Sequence, residues 1–296
     1  MTTFIDVINE TNLALTGYTN RQDQATFLTS DITSSDLTFV VADGTVLTRG
    51  LVEIDDELIW VDSFDRTTNT ATIPAYGRGF RDTTAQSHTA GTRVTLAPSF
   101  PRSVIRRNIN LAIDALYPDL FGTFYTTFSW QAARTTYVLP QEAIDVLGAS
   151  WQSIGPSREW LPIRHYRVDR MANPTTWGSG KTISVRDGII PGRTVMITYT
   201  KKPTTLQYDT DDFTMTGLPD SAREVVVLGA AYRTAMYLDM GRVPAATAEA
   251  DAQQANDPIG SAANIGRVLQ QMYQQRLLIE VRRLQEQFPP RTHYTS

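Results

Sequence analysis

The residues best suited to chemistry fall into a few groups. Gly178-Ser179-Gly180-Lys181-Thr182 looks like the end of a phosphate-binding loop, in which backbone N–H groups and a helix N-terminus surround a phosphate. That loop needs a glycine five positions before Gly180, and Thr175 stands there. It also needs a helix after the lysine, whereas Ile183-Ser184-Val185 reads as a strand, so the stretch is predicted to be a turn. The three histidines, His88, His165 and His293, share no helix face. Neither H-E-x-x-H nor G-x-S-x-G occurs. His88, in a Gly/Thr-rich loop, reads as a turn hydrogen-bonder. Two acidic groups, Asp55-Asp56-Glu57 and Asp209/Asp211/Asp212, are candidates for a carboxylate pair or a calcium site. The first chemistry needs a defined separation across a cleft. The second needs a glycine and a distal glutamate that this stretch lacks. Both groups therefore read as solvated loops. With no cysteine in the chain, disulfides, thiolate zinc sites and thiol nucleophiles are excluded. No catalytic, metal or cofactor residue is assigned, and an enzyme is not expected.

The elements that would carry these residues follow from periodicity. Phe4, Ile5, Ile8 and Leu15 predict a helix over 3–16, stopped at Gly17. Residues 37–41, 51–54, 58–61, 71–75 and 93–96 read as short strands between turn signals such as Asp43-Gly44 and Ala90-Gly91. Ile105, Ile109, Ala112 and Leu116 form one apolar stripe, predicting a helix ended at Pro118. Strands return at 123–130, 135–139, 163–168, 182–186 and 194–199, in a half rich in tryptophan (Trp130, Trp151, Trp160, Trp177) that reads as core or interface aromatics. Ser221-Ala-Arg-Glu224 fits a capping box opening a helix to about Met240. An Ala-rich helix over 245–256 and a long one over 263–288 follow, and Pro289-Pro290 begins an extended tail. The expected fold is α+β: a bundle of four to five helices, including the long C-terminal one, with two β-rich insertions. The expected divisions are an N-terminal helix 1–20, a small β-rich domain 21–100, a bundle helix 101–120, a second β-rich domain 121–218, a helical region 219–288 and a tail 289–296.

Charge and hydropathy set limits on partners. The net charge is −4 and the pI about 5.4, so no basic surplus marks a DNA-gripping surface. No apolar run approaches the roughly 18 residues of a membrane span. The first ten residues, MTTFIDVINE, do not read as a secretory signal. Arg102, Arg106 and Arg107 stand at the start of the 102–117 helix, where positive charge opposes the helix dipole. Either an acidic neighbour, such as an adjacent subunit, pairs with them, or they face solvent.

Between residues 52 and 94 a longer pattern stands out. Val52-Glu-Ile-Asp-Asp-Glu-Leu-Ile-Trp-Val61 leads to Tyr76-Gly-Arg-Gly-Phe80, Asp82-Thr-Thr-Ala85, His88 and Ala90-Gly-Thr-Arg-Val94. It resembles a β-module of phage virion proteins in which a strand pair presenting an acidic residue precedes R-G-x-x-x-T-x-A-x-x-H-x-x-G-x-x-V. The glycine usual before the threonine is Asp82 here. The helix from Phe100 to Pro118, the capped helix at 221–240 and the C-terminal helix ending in Phe-Pro-Pro-Arg resemble those of head-to-tail adaptor (connector) proteins of tailed bacteriophages. The resemblance implies a structural virion protein of the neck, between capsid and tail, made in the host cytoplasm. It implies a ring, commonly of twelve copies, below the portal protein, passing double-stranded DNA through its channel without sequence-specific binding and docking a nozzle or tail-completion protein. The portal would be held by Phe288, Pro289, Pro290, Arg291, His293 and Tyr294, and the subunit interface would include Arg102, Arg106 and Arg107. The alternatives are another virion component (nozzle, tail-completion or fibre protein) and a virion-associated hydrolase.

Overall fold

The structure is a computed structural model, and it describes residues 2–16, 23–154, 158–240 and 261–288. The chain divides into two compact units: one made of Ile5–Ala112 and Glu224–Gln274, the other of Met1–Phe4, Ile113–Arg223 and Gln275–Ser296.

In the first unit the order β1 (Gln24–Phe27), β7 (Arg93–Leu96), β3 (Gly50–Ile54), β4 (Glu57–Val61) makes an antiparallel sheet. A smaller one is ordered β2 (Thr38–Val40), β6 (Thr70–Thr72), β5 (Ser63–Asp65). The two share one core: Val52, Ile54, Ile59, Val61 and Val94 from the larger meet Phe39 and Ala71 from the smaller. Strand alternation places these side chains on one face. Helices complete the unit. The stripe predicted for α2 (Arg102–Ala115) is real, with Ile105, Ile109 and Ala112 fully buried. Asn108 of α2 donates to the Thr234 hydroxyl of α3 (Arg223–Met240) at 2.9 Å. Gly229 lets α3 approach α2 and α4 (Ser261–Gln287): a Cβ there would lie 3.2 Å from the Ala112 Cβ and 3.1 Å from the Tyr273 ring.

The second unit has the same plan on a larger scale. One antiparallel sheet is ordered β11 (Trp160–Pro162), β10 (Asp145–Gln152), β14 (Thr194–Lys201), β8 (Gly122–Ser129); the other is β12 (Tyr166–Asp169), β13 (Thr182–Val185), β9 (Thr136–Val138). Between them lie Val195, Ile197, Tyr199, Ile183, Val185, Tyr137 and Trp130. Trp151 packs against this core, whereas Trp160 stays exposed.

The expected helical bundle with two β-rich insertions is thereby corrected. The described residues hold fourteen strands in four sheets and four α-helices, so the described fold is β-rich α+β and not a helical bundle with two insertions. The helical stripes were strong signals, but several strands are only three or four residues long, too short to display a period of two. β10, central in its sheet, was missed altogether. Its Gly148 and Ala149 have low strand propensity, and a bulge between Val146 and Gly148 breaks its alternation. The capping box also fails. Residues Asp220–Ala222 form a 3-10 turn, and the Ser221 hydroxyl donates to Glu280 of α4 at 2.7 Å. Arg276 and Arg283 also engage this buried glutamate, at 3.1 and 2.8 Å. The helix expected over 245–256 lies outside the described residues.

One glycine is held by packing as well as by backbone. Gly217 follows the 3-10 turn Phe213–Thr216 at φ 78°, and a Cβ there would lie 2.3 Å from the Phe124 ring. Gly192 has a similar φ of 80° with nothing within 4 Å. Gly192→Ala should therefore cost about 1 kcal/mol, from the left-handed backbone alone. Gly217→Ala should cost roughly 2–4 kcal/mol, because overpacking adds to that strain. Paired denaturant titrations measure the difference, and equal losses would remove the packing argument.

Candidate functional site

The acidic triplet Asp55-Asp56-Glu57 is not a solvated loop. It forms the turn between β3 and β4 and the start of β4; Asp55 and Glu57 reach the loop that carries His88, and Asp56 reaches the start of α2. Asp55, in the left-handed region at φ 51°, meets His88 Nδ1 at 2.8 Å. Asp56 accepts from Arg102 Nε at 3.2 Å and from Arg106 Nη1 at 2.6 Å. Glu57, at 0% exposure, accepts from Arg78 Nε and Nη2 at 2.8 and 2.9 Å. It also accepts from the N–H of Gly79 and of Gln86 at 2.9 and 3.1 Å and meets His88 Nε2 at 2.9 Å.

Arg78 is equally committed. Its Nη1 donates to the carbonyls of Thr33 and Asp36 at 2.6 and 2.9 Å, and its Nη2 also donates to that of Gln86 at 2.7 Å. All five guanidinium donors are therefore used, and so are the acceptor sites of Glu57. The sequence pattern supports this locally. Gly79 takes the left-handed conformation (φ 58°), and Arg81 and Asp82 follow at φ 54° and 63°. Aspartate tolerates this region better than most residues, which explains how Asp82 replaces the glycine usual at that place in the pattern. Thr83 closes the turn, its N–H and hydroxyl both directed at the Phe80 carbonyl and its hydroxyl also accepting from the Leu58 N–H at 3.0 Å.

The electrostatics match the geometry. Burial pushes Glu57 up, but hydrogen bonds from His88, Arg78, Gly79 and Gln86 outweigh it and hold the carboxyl at about 2. Burial pushes His88 down, but hydrogen bonds and charge from Asp55 and Glu57 raise it to about 9. The cluster is thus a neutral set of two cations and two anions. A general acid or base needs a free lone pair or proton directed at a substrate; every ring nitrogen and carboxylate oxygen of Glu57, Arg78 and His88 is already bonded within the fold. Glu53 is a different case. Burial pushes its carboxyl up to about 7, although the Arg102 N–H donates to it. Among the described residues, no group of three or more His, Asp or Glu is placed to hold a metal ion. The Gly178–Thr182 stretch is a turn that feeds β13, and Lys181 Nζ donates to the carbonyls of Gln141 and Ala143 at 2.7 and 2.6 Å.

The residues singled out for assembly are distributed as follows. Arg102 and Arg106 have their acidic neighbour, Asp56, in the same chain, while Arg107 is exposed on α2. Phe288 lines a cavity of about 260 Å³ with Phe121, Thr123, Gly217, Pro219 and Leu284. Pro289, Pro290, Arg291, His293 and Tyr294 lie outside the described residues. No helix among the described residues is long and apolar enough to cross a membrane.

The model of the SU10 adaptor protein family matches residues 80–278. The chain belongs to the SU10 adaptor protein family. It is a phage adaptor protein, and the family's span takes in His88, α2, the whole second pair of sheets and most of α4. Glu57 and Arg78 precede that span, so the cluster joins residues on both sides of its first position. No curated protein matches the chain. Sequence reasoning had singled out His88 and the acidic triplet but had not joined them. The R-G-x-x-x-T-x-A-x-x-H spacing was the available signal, since it brings a cation, a left-handed glycine and a histidine into one loop.

The pH dependence of stability follows from these groups. His88, raised from 6.5 to about 9, contributes stability that is present below pH 6.5 and lost as pH rises through 9. Glu57, lowered from 4.5 to about 2, contributes stability that is present above pH 4.5 and lost as pH falls through 2. Glu53 has the reverse sign for an acid: its raised value makes stability fall as pH rises from 4.5 to 7. His88→Gln should therefore flatten the alkaline limb of a melting-temperature profile, and Glu53→Gln should flatten the limb between pH 4.5 and 7. Glu57→Gln should cost about 3–5 kcal/mol near neutrality, since it leaves Arg78 buried without its anion. Thermal melts across roughly pH 3–10 check all three, and unchanged profiles would show the cluster to be solvated.

Proposed function

We propose that this adaptor forms a ring of about twelve copies below the portal protein, extends the channel through which DNA leaves the capsid, and docks the nozzle or tail-completion protein on its other side. The family match carries this reading. The saturated cluster supports a structural role, because the titratable groups best placed for catalysis are bonded internally. The net charge of −4 suits a wall past which DNA slides better than one that grips phosphates. In this reading Phe288 and the tail from Pro289 to Ser296 hold the portal, and Arg107, exposed on α2, contributes to the contact between subunits.

The test is cryo-electron microscopy of the parent virion's neck, reconstructed with and without imposed symmetry. The chain should build into a closed ring directly below the portal; density at the tail tip or in a threefold fibre would overturn the assignment. The three arginines should separate in solution. Arg102→Gln and Arg106→Gln should each lower monomer stability by up to about 1 kcal/mol, the usual worth of a partly exposed pair. Arg107→Gln should leave the melting temperature unchanged while weakening ring assembly. Deleting residues 289–296 should weaken portal attachment at an unchanged melting temperature, and unchanged attachment would refute the grip.

A further inference from the structure

Charge is unevenly distributed along the chain. From the first residue of β8 to the last of β14 (122–201) there are nine Lys and Arg against five Asp and Glu, whereas the rest of the chain has eighteen against twenty-six. Three of those five acids are already held by cations: Asp145 by Arg170 at 2.8 Å, Glu142 by Lys201 at 3.3 Å and Asp187 by His165 at 2.7 Å. The local surplus therefore falls on arginines that lack an anion among the described residues.

Two of these arginines share one face of a sheet. In β12–β13–β9 the side chains of Tyr166, Val168, Ile183, Val185 and Tyr137 belong to the core. Alternation then turns Arg167, Ser184 and Thr136, which lie opposite one another, outward as one row. The Arg186 N–H donates to the His165 carbonyl, which extends the pairing by one residue and puts Arg186 on the same outer face, diagonal to Arg167. Diagonal neighbours lie about 7–8 Å apart. Both arginines are exposed, and among the described residues neither guanidinium has a hydrogen bond or ion pair. Asp169, next along that face of β12, accepts from the Met171 N–H at 3.0 Å instead. Thr182, opposite Asp169, is buried, so the open end of the face is the end with the arginines. The Ser184 and Thr136 hydroxyls lie 2.9 Å apart. One O–H serves that bond, which leaves the other proton for an acceptor above the sheet.

The composition of the face selects its partner. Interfaces between proteins are enriched in aromatic side chains and depleted of charge at their core; among the outward side chains of these strands only Val138 is apolar. Interfaces with nucleic acid are polar and positively charged, and their phosphates take hydrogen bonds from Arg, Ser and Thr. A guanidinium also matches two phosphate oxygens at once. Platforms for single strands need exposed aromatics on which bases stack, and both aromatics of this sheet, Tyr166 and Tyr137, belong to the core. The backbone of a duplex is the partner that fits.

We propose that the outer face of the β12–β13–β9 sheet contacts the phosphate backbone of double-stranded DNA through Arg167 and Arg186, with the Ser184–Thr136 hydroxyl pair donating between them. So few contacts are weak at physiological salt and carry no sequence preference, which agrees with DNA that passes and is not gripped. The contact belongs to the isolated subunit, so its failure leaves the ring assignment standing and the reverse also holds.

The test titrates the full-length chain into a fluorescein-labelled duplex of about 20 base pairs and reads anisotropy between roughly 20 and 200 mM salt. Affinity should fall with salt. Arg167→Gln combined with Arg186→Gln should weaken binding at least about tenfold and lower the slope of log K against log salt by about 2. Arg93→Gln, at an exposed position of β7, should leave both unchanged. No binding at the lowest salt, an equal loss with Arg93→Gln, or tighter binding of the corresponding single strand would overturn the proposal. Displacement of the duplex by polyglutamate at equal charge would make an acidic protein surface the partner and overturn it as well. The melting temperature of the double variant should stay the same or rise, since two unpaired like charges are removed; a fall would tie both arginines to the fold's own contacts and equally overturn the proposal.

Discussion

A buried arginine–glutamate pair with no unused hydrogen-bonding capacity organises the first pair of sheets. Burying Glu57 and Arg78 removes both from water, a penalty of several kcal/mol per ion. Their attraction offsets it only when the remaining donors and acceptors are also satisfied. That requirement fixes the surroundings. The carbonyls of Thr33 and Asp36 must come to Nη1, the N–H groups of Gly79 and Gln86 must come to the carboxylate, and His88 must close the remaining side. The loop at 33–36 and the loop at 79–88 are thereby held together by two side chains, in a region whose strands are mostly too short to specify the loops themselves. Asp55 and Asp56 extend the same turn to His88 and to the start of α2.

The arrangement also explains why residues that looked reactive are not. Chemistry needs a group with spare hydrogen-bonding capacity next to space for a substrate. Here His88, Arg78 and the N–H groups of Gly79 and Gln86 hold Glu57 down at about 2, while Asp55 and Glu57 keep His88 protonated into the alkaline range. A protonated histidine with both N–H groups donated cannot act as a base. Lys181, in the stretch that looks like the end of a phosphate-binding loop, is likewise committed to two backbone carbonyls. The hydrogen bonds of this cluster close loops.

How much of this was legible in the sequence depends on the length scale of the signal. The apolar stripe of α2 spans fourteen residues, and its buried positions were read correctly. The phage-module spacing from Arg78 to Val94 pointed to the right kind of protein. The balance of helix and strand was misjudged because β2, β5, β6, β9 and β11 have three residues each, shorter than the window over which alternation shows. Glu280 could not have been found: one of two glutamates on a Gln-rich helix gives no sign that Ser221, 59 positions away, donates to it. Asp56 and the arginines of α2 were seen separately, and only tertiary structure shows that the acid expected of a neighbour is available within the chain.

That last pairing changes what the α2 arginines can mean for assembly. The unfavourable placement of Arg102 and Arg106 at a helix start is offset locally by Asp56, and the Arg102 N–H is taken by Glu53. Nothing in their position therefore demands a second subunit. In the proposed ring, contacts between copies would draw on surface that the fold leaves uncommitted, and the two units differ there. The turns of the first unit are tied together by ion pairs, while the outer face of the β8–β14–β10–β11 sheet presents Tyr125, Thr127, Met196, Thr198, Ser150 and Trp160 with little charge among them. Interface cores are depleted in charge and enriched in Tyr, Trp and Met. Of that sheet's surface, the patch from Tyr125 to Trp160 is where association would cost least in desolvated charge.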